Sequence, residues 1–192
     1  MSFGVRDRTR ELLRAQLADA ILAVFLERGY ATVTVEDAAR EVGISRATFF
    51  RYFGNKEDVV VTSVESAGID YAAGIRDLPQ NAQCTGWELV RTAIEPVVLT
   101  ATRDPDRLRA RLRLIAGEPA LRARLRERRA ESTEELAAAL TERLDEPLTA
   151  RVLASAGLAA VDLAWEEWAM GEGADFRATV DSVFECLEKA GR

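Results

Sequence analysis

Between Thr34 and Lys56, hydrogen-bond donors, aromatic rings and small residues recur at a spacing suited to reading base-pair edges. Arg46, Thr48, Arg51 and Tyr52 alternate with Ala47, Phe49, Phe50 and Phe53. On a helix that enters a major groove by its N-terminus, Arg46 or Arg51 offers a fork to O6 and N7 of guanine, and Ala47 offers a methyl contact to thymine. The hydroxyls of Thr34, Ser45, Thr48 and Tyr52, with the backbone amides that open the helices, suit phosphate oxygens. Lys56 adds a point charge on the same strand. The competing reading is an aromatic knot at the end of an ordinary bundle, with its arginines solvated.

The flanking residues supply the frame such a helix needs. Thr34 is an N-cap candidate that accepts from the amide of Asp37, and Ala38, Ala39 and Val42 form the apolar stripe of a first short helix. Gly43 ends that helix, and Ser45 caps a second one over Arg46 to Tyr52, so the turn is only Gly43, Ile44 and Ser45. Ala39 lets the two helices cross closely, while Ile44 and Phe49 hold them near perpendicular: a helix-turn-helix. Upstream, Leu13, Leu17, Ala20, Ile21, Val24 and Phe25 follow three-and-four spacing and predict a support helix from about Arg8 to Arg28, ended by Gly29. Val33 and Val35 are expected to pack beneath Thr34. Residues 1 to 6 read as an arm, with Arg6, Arg8 and Arg10 either tracking DNA or simply solvated. Downstream, Asn55 caps a helix that is expected to run to about Arg76, with Gly68 and Gly74 allowing a bend or close packing.

The run AILAVFLERGYATVTVEDAAREVGISRATFFRYFGNKEDV resembles the N-terminal domain of the TetR family of transcriptional regulators. The resemblance implies a supported helix-turn-helix, a long fourth helix starting at the Lys56-Glu57 step, and a variable helical domain that binds a small effector and dimerises. By position it implies DNA contacts at Arg46, Ala47, Thr48, Phe50, Arg51, Tyr52 and Lys56, with Thr34 and Ser45 on phosphates. Phe50 departs from the tyrosine of many members and has no hydroxyl for a phosphate. Arg51 stands where the family varies, so operator sequence does not carry over.

Composition bounds the alternatives. The chain has 192 residues, favouring a small module joined to a larger one, and a formal charge of −6. That acidity argues against nucleic acid, but its distribution does not: residues 1 to 56 carry nine basic and seven acidic side chains, and the acid surplus lies beyond them. There is no apolar run approaching 18 residues and no signal-peptide pattern, so a cytoplasmic protein without membrane association is expected. Cys84 and Cys186 read as lone buried or half-buried thiols. With no histidine, no Gly-rich phosphate loop and no nucleophile elbow, an enzyme is not expected. The carboxylates Glu166 and Glu167 point roughly 100 degrees apart on a helix. No cofactor or metal is called for.

Beyond a linker at residues 77 to 86 the pattern is helical throughout. Helices are expected over Trp87 to Arg103 with a kink at Pro96, Asp106 to Ala116, Glu118 to Leu144, Pro147 to Gly171 and Ala174 to Ala190. Nine arginines and two acids lie between Arg107 and Arg129. Either they form a solvated face or, with Arg107, Arg111, Arg122 and Arg126 foremost, an anion site. The segment LRLIAGEPALRARL also resembles the ligand domain of a TetR branch associated with acyl-CoA effectors. Trp165 and Trp168 either line an apolar effector cavity or belong to the core or a subunit interface. The expectation is therefore an all-α protein, with a helix-turn-helix domain at 1–54 and an effector-binding and dimerisation bundle at 55–192. It would bind a palindromic double-stranded operator as a homodimer, as a repressor or else an activator, and answer to a small effector such as an acyl-CoA or another amphipathic anion. The rival is a helical adaptor that binds protein at its basic end. The resemblance places the dimer interface on the last two helices, with Leu153, Leu158, Val161, Leu163, Trp165, Val180, Val183, Phe184 and Leu187 available to bury.

Overall fold

The computed structural model describes residues 5–65, 70–79, 84–101, 104–171 and 175–190, and among these there are helices and connections but no strand. They form two compact units: residues 1–68 with 117–124, and residues 69–116 with 125–192.

The first unit is built on α1 (Val5–Arg28), α2 (Val35–Glu41), α3 (Arg46–Tyr52) and α4 (Lys56–Glu65). α1 packs on α2 and α4, and α3 packs on α2; the unit buries Ala18, Ile21, Leu22 and Phe25 of α1 together with Ala38, Ala39, Phe49, Val59 and Val60. α1 begins at Val5, so Arg8 and Arg10 are exposed helical residues and not part of an extended arm. The segment 117–124 adds Leu121, which is fully buried, to this unit.

The expected single helix from Asn55 to Arg76 is not observed. α4 ends at Glu65, residues 66–69, including Gly68, lie outside the described set, and a separate α5 (Tyr71–Arg76) starts in the second unit. The reason is at Asp70, whose backbone is extended and whose carboxylate accepts from the amides of Ala72 and Ala73. An aspartate so placed opens a helix and does not continue one. Gly74 sits where α5 meets α6 (Gly86–Ala101): a Cβ there would come within 3.0 Å of the Thr92 carbonyl, the close packing the glycine predicts.

The second unit continues with α7 (Pro105–Gly117, of which residue 117 falls in the first unit), the remainder of α8 (Pro119–Leu144), α9 (Pro147–Met170) and α10 (Phe176–Ala190). Its core runs from Tyr71 and Ile75 through Leu89, Val90, Ile94 and Val97 to Leu136, Leu140, Leu158, Val161 and Phe184. α9 buries eleven of its 24 residues. Averaged along its length α9 is apolar enough to pass for a membrane span, a property hidden from a search for unbroken apolar runs, but half of that window is buried within the protein's own packing. Pro96 lies inside α6, as expected.

Candidate nucleic-acid interface and effector region

The helix-turn-helix is assembled by short-range hydrogen bonds. Thr34 Oγ1 accepts from the Asp37 amide at 3.1 Å, and Asp37 Oδ2 accepts in return from the Thr34 hydroxyl at 2.6 Å and the Thr34 amide at 3.4 Å, closing a capping box. These bonds hold the Asp37 carboxyl below its ordinary pKa. Gly43 takes a positive φ of 74°, and the amides of Gly43 and Ile44 reach back to the carbonyls of Arg40 and Ala39, the C-terminal arrangement that favours glycine. Ser45 Oγ accepts from the Thr48 amide at 3.1 Å and donates to Thr48 Oγ1 at 3.0 Å. Both caps are therefore as the sequence predicts. Their hydroxyls are already engaged, so a phosphate would have to displace or share these bonds.

α3 buries Phe49 alone of its seven residues, with Phe53 packed beside it at a ring separation of 5.4 Å. Arg46, Ala47, Phe50 and Arg51 are exposed, and Thr48 and Tyr52 are half-buried. The candidate readers thus share one solvent-facing helix. Arg46 Nε lies 2.9 Å from Glu36 Oε1, and its guanidinium carbon is 5.5 Å from the centre of the Phe50 ring. Arg51 lies over Tyr52 at 5.3 Å. Arg14, on α1, donates from Nε to the Tyr52 carbonyl at 3.2 Å and so holds the C-terminal end of α3.

Lys56 differs from its expected reach towards a phosphate. Its ammonium is turned inward, 4.1 Å above the Tyr30 ring and 5.0 Å from that of Phe25, and donates to the Tyr30 carbonyl. Burial lowers its pKa, with Glu57 and Glu118 opposing the shift. The Tyr30 hydroxyl donates to Glu57 at 3.0 Å, and burial, then Glu57, push its pKa up. The first two residues of α4 therefore grip the chain just beyond α1.

Sequence reasoning missed Arg14, Glu36 and the aromatic seat of Lys56. None lies at a helical spacing from its partner. The only signal was charge of opposite sign at the start of two neighbouring helices.

Several of the arginines between 107 and 129 have different partners within their own units. Arg113 donates to the Ala169 carbonyl at 2.7 Å near the end of α9, and the Arg109 guanidinium lies 4.5 Å from the Trp168 ring. Arg124 meets Asp58 at 2.7 Å within the first unit, and Arg128 meets Glu131 at 3.1 Å. Arg129 donates to the Tyr71 hydroxyl at 2.5 Å and to Asp162. Burial opposes the Arg129 charge, but Tyr71 and Asp162 outweigh it and raise its pKa; burial likewise raises that of Tyr71. Of the four foremost candidates Arg111 is buried, Arg122 is half-buried in the first unit, and Arg107 and Arg126 are exposed. Trp165 and Trp168 pack on Phe176 with ring separations of 4.9 and 5.4 Å, which makes them core residues, although the Trp165 indole N–H is buried without an acceptor among the described residues.

The open faces of α9 and α10 form an apolar groove of about 860 Å³, lined by Ala156, Ala159, Leu163, Val183 and Leu187 among others. Most of the expected interface residues are not on it: Leu153, Leu158, Val161, Trp165, Val180 and Phe184 face the core. Cys186 also lines the groove and is exposed, contrary to the expectation of a buried or half-buried thiol, whereas Cys84 is half-buried as expected.

Two family models match this chain: bacterial regulatory proteins of the tetR family over residues 17–61, and the MftR C-terminal domain over residues 85–191. The chain belongs to the TetR family. It is similar along its length to FadR, a transcriptional regulator of Bacillus subtilis solved with stearoyl-CoA, at 25% identity over 90% of this chain and 96% of that one, with a TM-score of 0.61. The fold also matches FadR of Bacillus halodurans, a fatty acid degradation regulator, at 21% identity, 97% and 96% coverage and a TM-score of 0.59. Thermus thermophilus FadR, a repressor solved with lauroyl-CoA, matches at 21% identity, 91% and 92% coverage and a TM-score of 0.56. These TetR-type neighbours are transcriptional regulators with an all-α fold, in keeping with the architecture described above.

Proposed function

We propose that the protein is a homodimeric, cytoplasmic repressor that reads a palindromic double-stranded operator with α3 and is released by an amphipathic anion of the acyl-CoA class. The observation that carries the DNA reading is α3, seven residues long with only Phe49 buried and its donors facing solvent from a frame capped at both helix starts. Arg46, Ala47, Thr48, Phe50, Arg51 and Tyr52 face the DNA, with Arg46, Arg51 and Ala47 the candidate base readers and Thr34 and Ser45 on phosphates. Lys56 is retained as a backbone contact only if it leaves its aromatic seat. Repression follows from a dimer occupying DNA where polymerase must pass.

Two helix-turn-helix units acting together require half-sites about one helical turn apart, roughly 34–36 Å or a multiple of it. The apolar groove on α9 and α10 supports dimerisation through those helices. The effector class is supported by the acyl-CoA ligands of two similar regulators and by the arginine-rich composition of α7 and α8, with Arg107, Arg111, Arg122, Arg126, Trp165 and Trp168 each a separate candidate for effector contact.

Selection from a random duplex library is expected to enrich a palindrome, and stearoyl-CoA or lauroyl-CoA is expected to release it in a gel-shift titration. Val183→Glu, which puts a charge into the groove, is expected to give a folded monomer that retains only salt-sensitive, sequence-independent DNA binding. Absence of any retention on duplex DNA at low salt would favour the adaptor reading instead.

A further inference from the structure

Arg46 stands where an isolated helix disfavours it. It is the first residue of α3, at the positive end of the helix dipole, and the first turn of α3 holds no acid. The groups that hold its guanidinium are Glu36, from the first turn of α2, with Oε1 2.9 Å from Arg46 Nε, and the Phe50 ring one turn further along α3, 5.5 Å from the guanidinium carbon. A carboxylate on the edge and a ring against the guanidinium fix the orientation of a planar group that otherwise rotates freely. With Nε engaged, the terminal amines still carry four of the five N–H donors, arranged as the end-on fork that matches O6 and N7 of guanine.

Stability does not explain the pair. The two side chains are 68% and 46% exposed, and an ion pair in that setting adds little to folding. Affinity does not explain it either, because a carboxylate on a DNA-facing surface repels every phosphate equally. Phe50 is 45% exposed, an unusual cost for a large apolar ring with no phosphate-seeking hydroxyl. A role in aiming Arg46 accounts for all three residues.

We infer that Glu36 and Phe50 are positioning residues that hold Arg46 as a guanine-reading fork, making an acidic side chain a determinant of operator specificity. This rests on the DNA-binding reading and goes beyond it by naming the base and the residues that select it.

The test uses the full-length protein. Site selection with the wild type and Arg46→Ala identifies the base pair whose enrichment depends on Arg46, expected to be a guanine in each half-site. Dissociation constants are then measured for the selected operator, for the operator with that guanine changed to adenine, and for random duplex, using wild type, Glu36→Gln and Phe50→Leu. Glu36→Gln is expected to lose roughly tenfold in guanine-over-adenine discrimination. Its affinity for random duplex should rise, because a negative charge is gone, and its urea midpoint should stay unchanged. Phe50→Leu is expected to lose part of the discrimination without the rise on random duplex, and Phe50→Trp to restore it. Glu36→Gln keeping the wild-type discrimination, or weakening on all three duplexes alike, would overturn the inference while leaving DNA binding intact. So would Arg46→Ala selecting an unchanged site. A wild type that enriches no sequence would overturn the DNA-binding reading, and this inference with it.

Discussion

α3 and α9 put the same chain chemistry to opposite uses. α3 commits one residue in seven to the core and leaves its donors outward; α9 commits eleven in 24, and its two tryptophans with them. Arginine shows the contrast best. Arg46 in the first unit is exposed and steered by neighbours, whereas Arg129 in the second is largely enclosed by Asp162 and Tyr71. Outside, as at Arg46, the guanidinium can be offered to a partner molecule. Enclosed, as at Arg129, the cost of desolvation favours an internal pairing.

The contrast breaks most readily at its apolar anchor. Phe49→Ala removes the one buried side chain of α3, and a destabilisation of roughly 3–5 kcal/mol is expected in urea titration, with loss of DNA retention. A change under about 1 kcal/mol, of the order of a single helix cap, would mean that α3 stands on its caps and not on the core.

Next comes Arg129→Met, which strips a charged donor from Asp162 and Tyr71. Because Asp162 is 38% exposed, the expected cost is about 1.5–3 kcal/mol, below that of a fully buried pair. Adding Asp162→Leu should recover part of it. If the double variant is weaker than the single one, Asp162 has a second role.

Thr34→Ala is expected to cost about 1 kcal/mol through the lost cap. The same box predicts a pH effect. Its hydrogen bonds depress the Asp37 pKa, so the stabilisation is present above the unfolded aspartate pKa of about 4 and is lost as pH falls through the lower folded value. The protection of the Thr34 and Asp37 amides relative to their intrinsic exchange should fall over that interval in the wild type, and Thr34→Ala, which keeps only the backbone-amide bond to Asp37, should respond less.

The smallest effect is reserved for Arg126→Ala, an exposed change expected to shift stability by no more than about 0.5 kcal/mol. A displaced acyl-CoA titration with unaltered stability would assign Arg126 to effector binding. An unaltered titration would leave it a solvated residue.

Much of the first unit was legible because its determinants are local. Thr34, Gly43, Ser45 and Asn55 act on amides or turns within three residues, and each does in the structure what its type and position predict. The same local chemistry was overlooked at Asp70, where an aspartate in a presumed helix opens a new one. The partners of the arginine run were hidden for a different reason. Neighbours in sequence leave a helix in different directions, so Arg109 meets an indole, Arg113 a carbonyl, and Arg124, Arg128 and Arg129 carboxylates.

By itself the sequence determined the all-α class, the helix-turn-helix and the residues α3 can offer to DNA, since periodicity, caps and turn residues act over a few positions. Only the tertiary structure decided that Glu36 meets Arg46, that Lys56 turns in upon Tyr30, that Arg129 is spent on Asp162, and which side of α9 and α10 stays open. Those outcomes depend on which faces meet when helices far apart in the chain bury their apolar stripes, and spacing along a single helix carries no record of that choice.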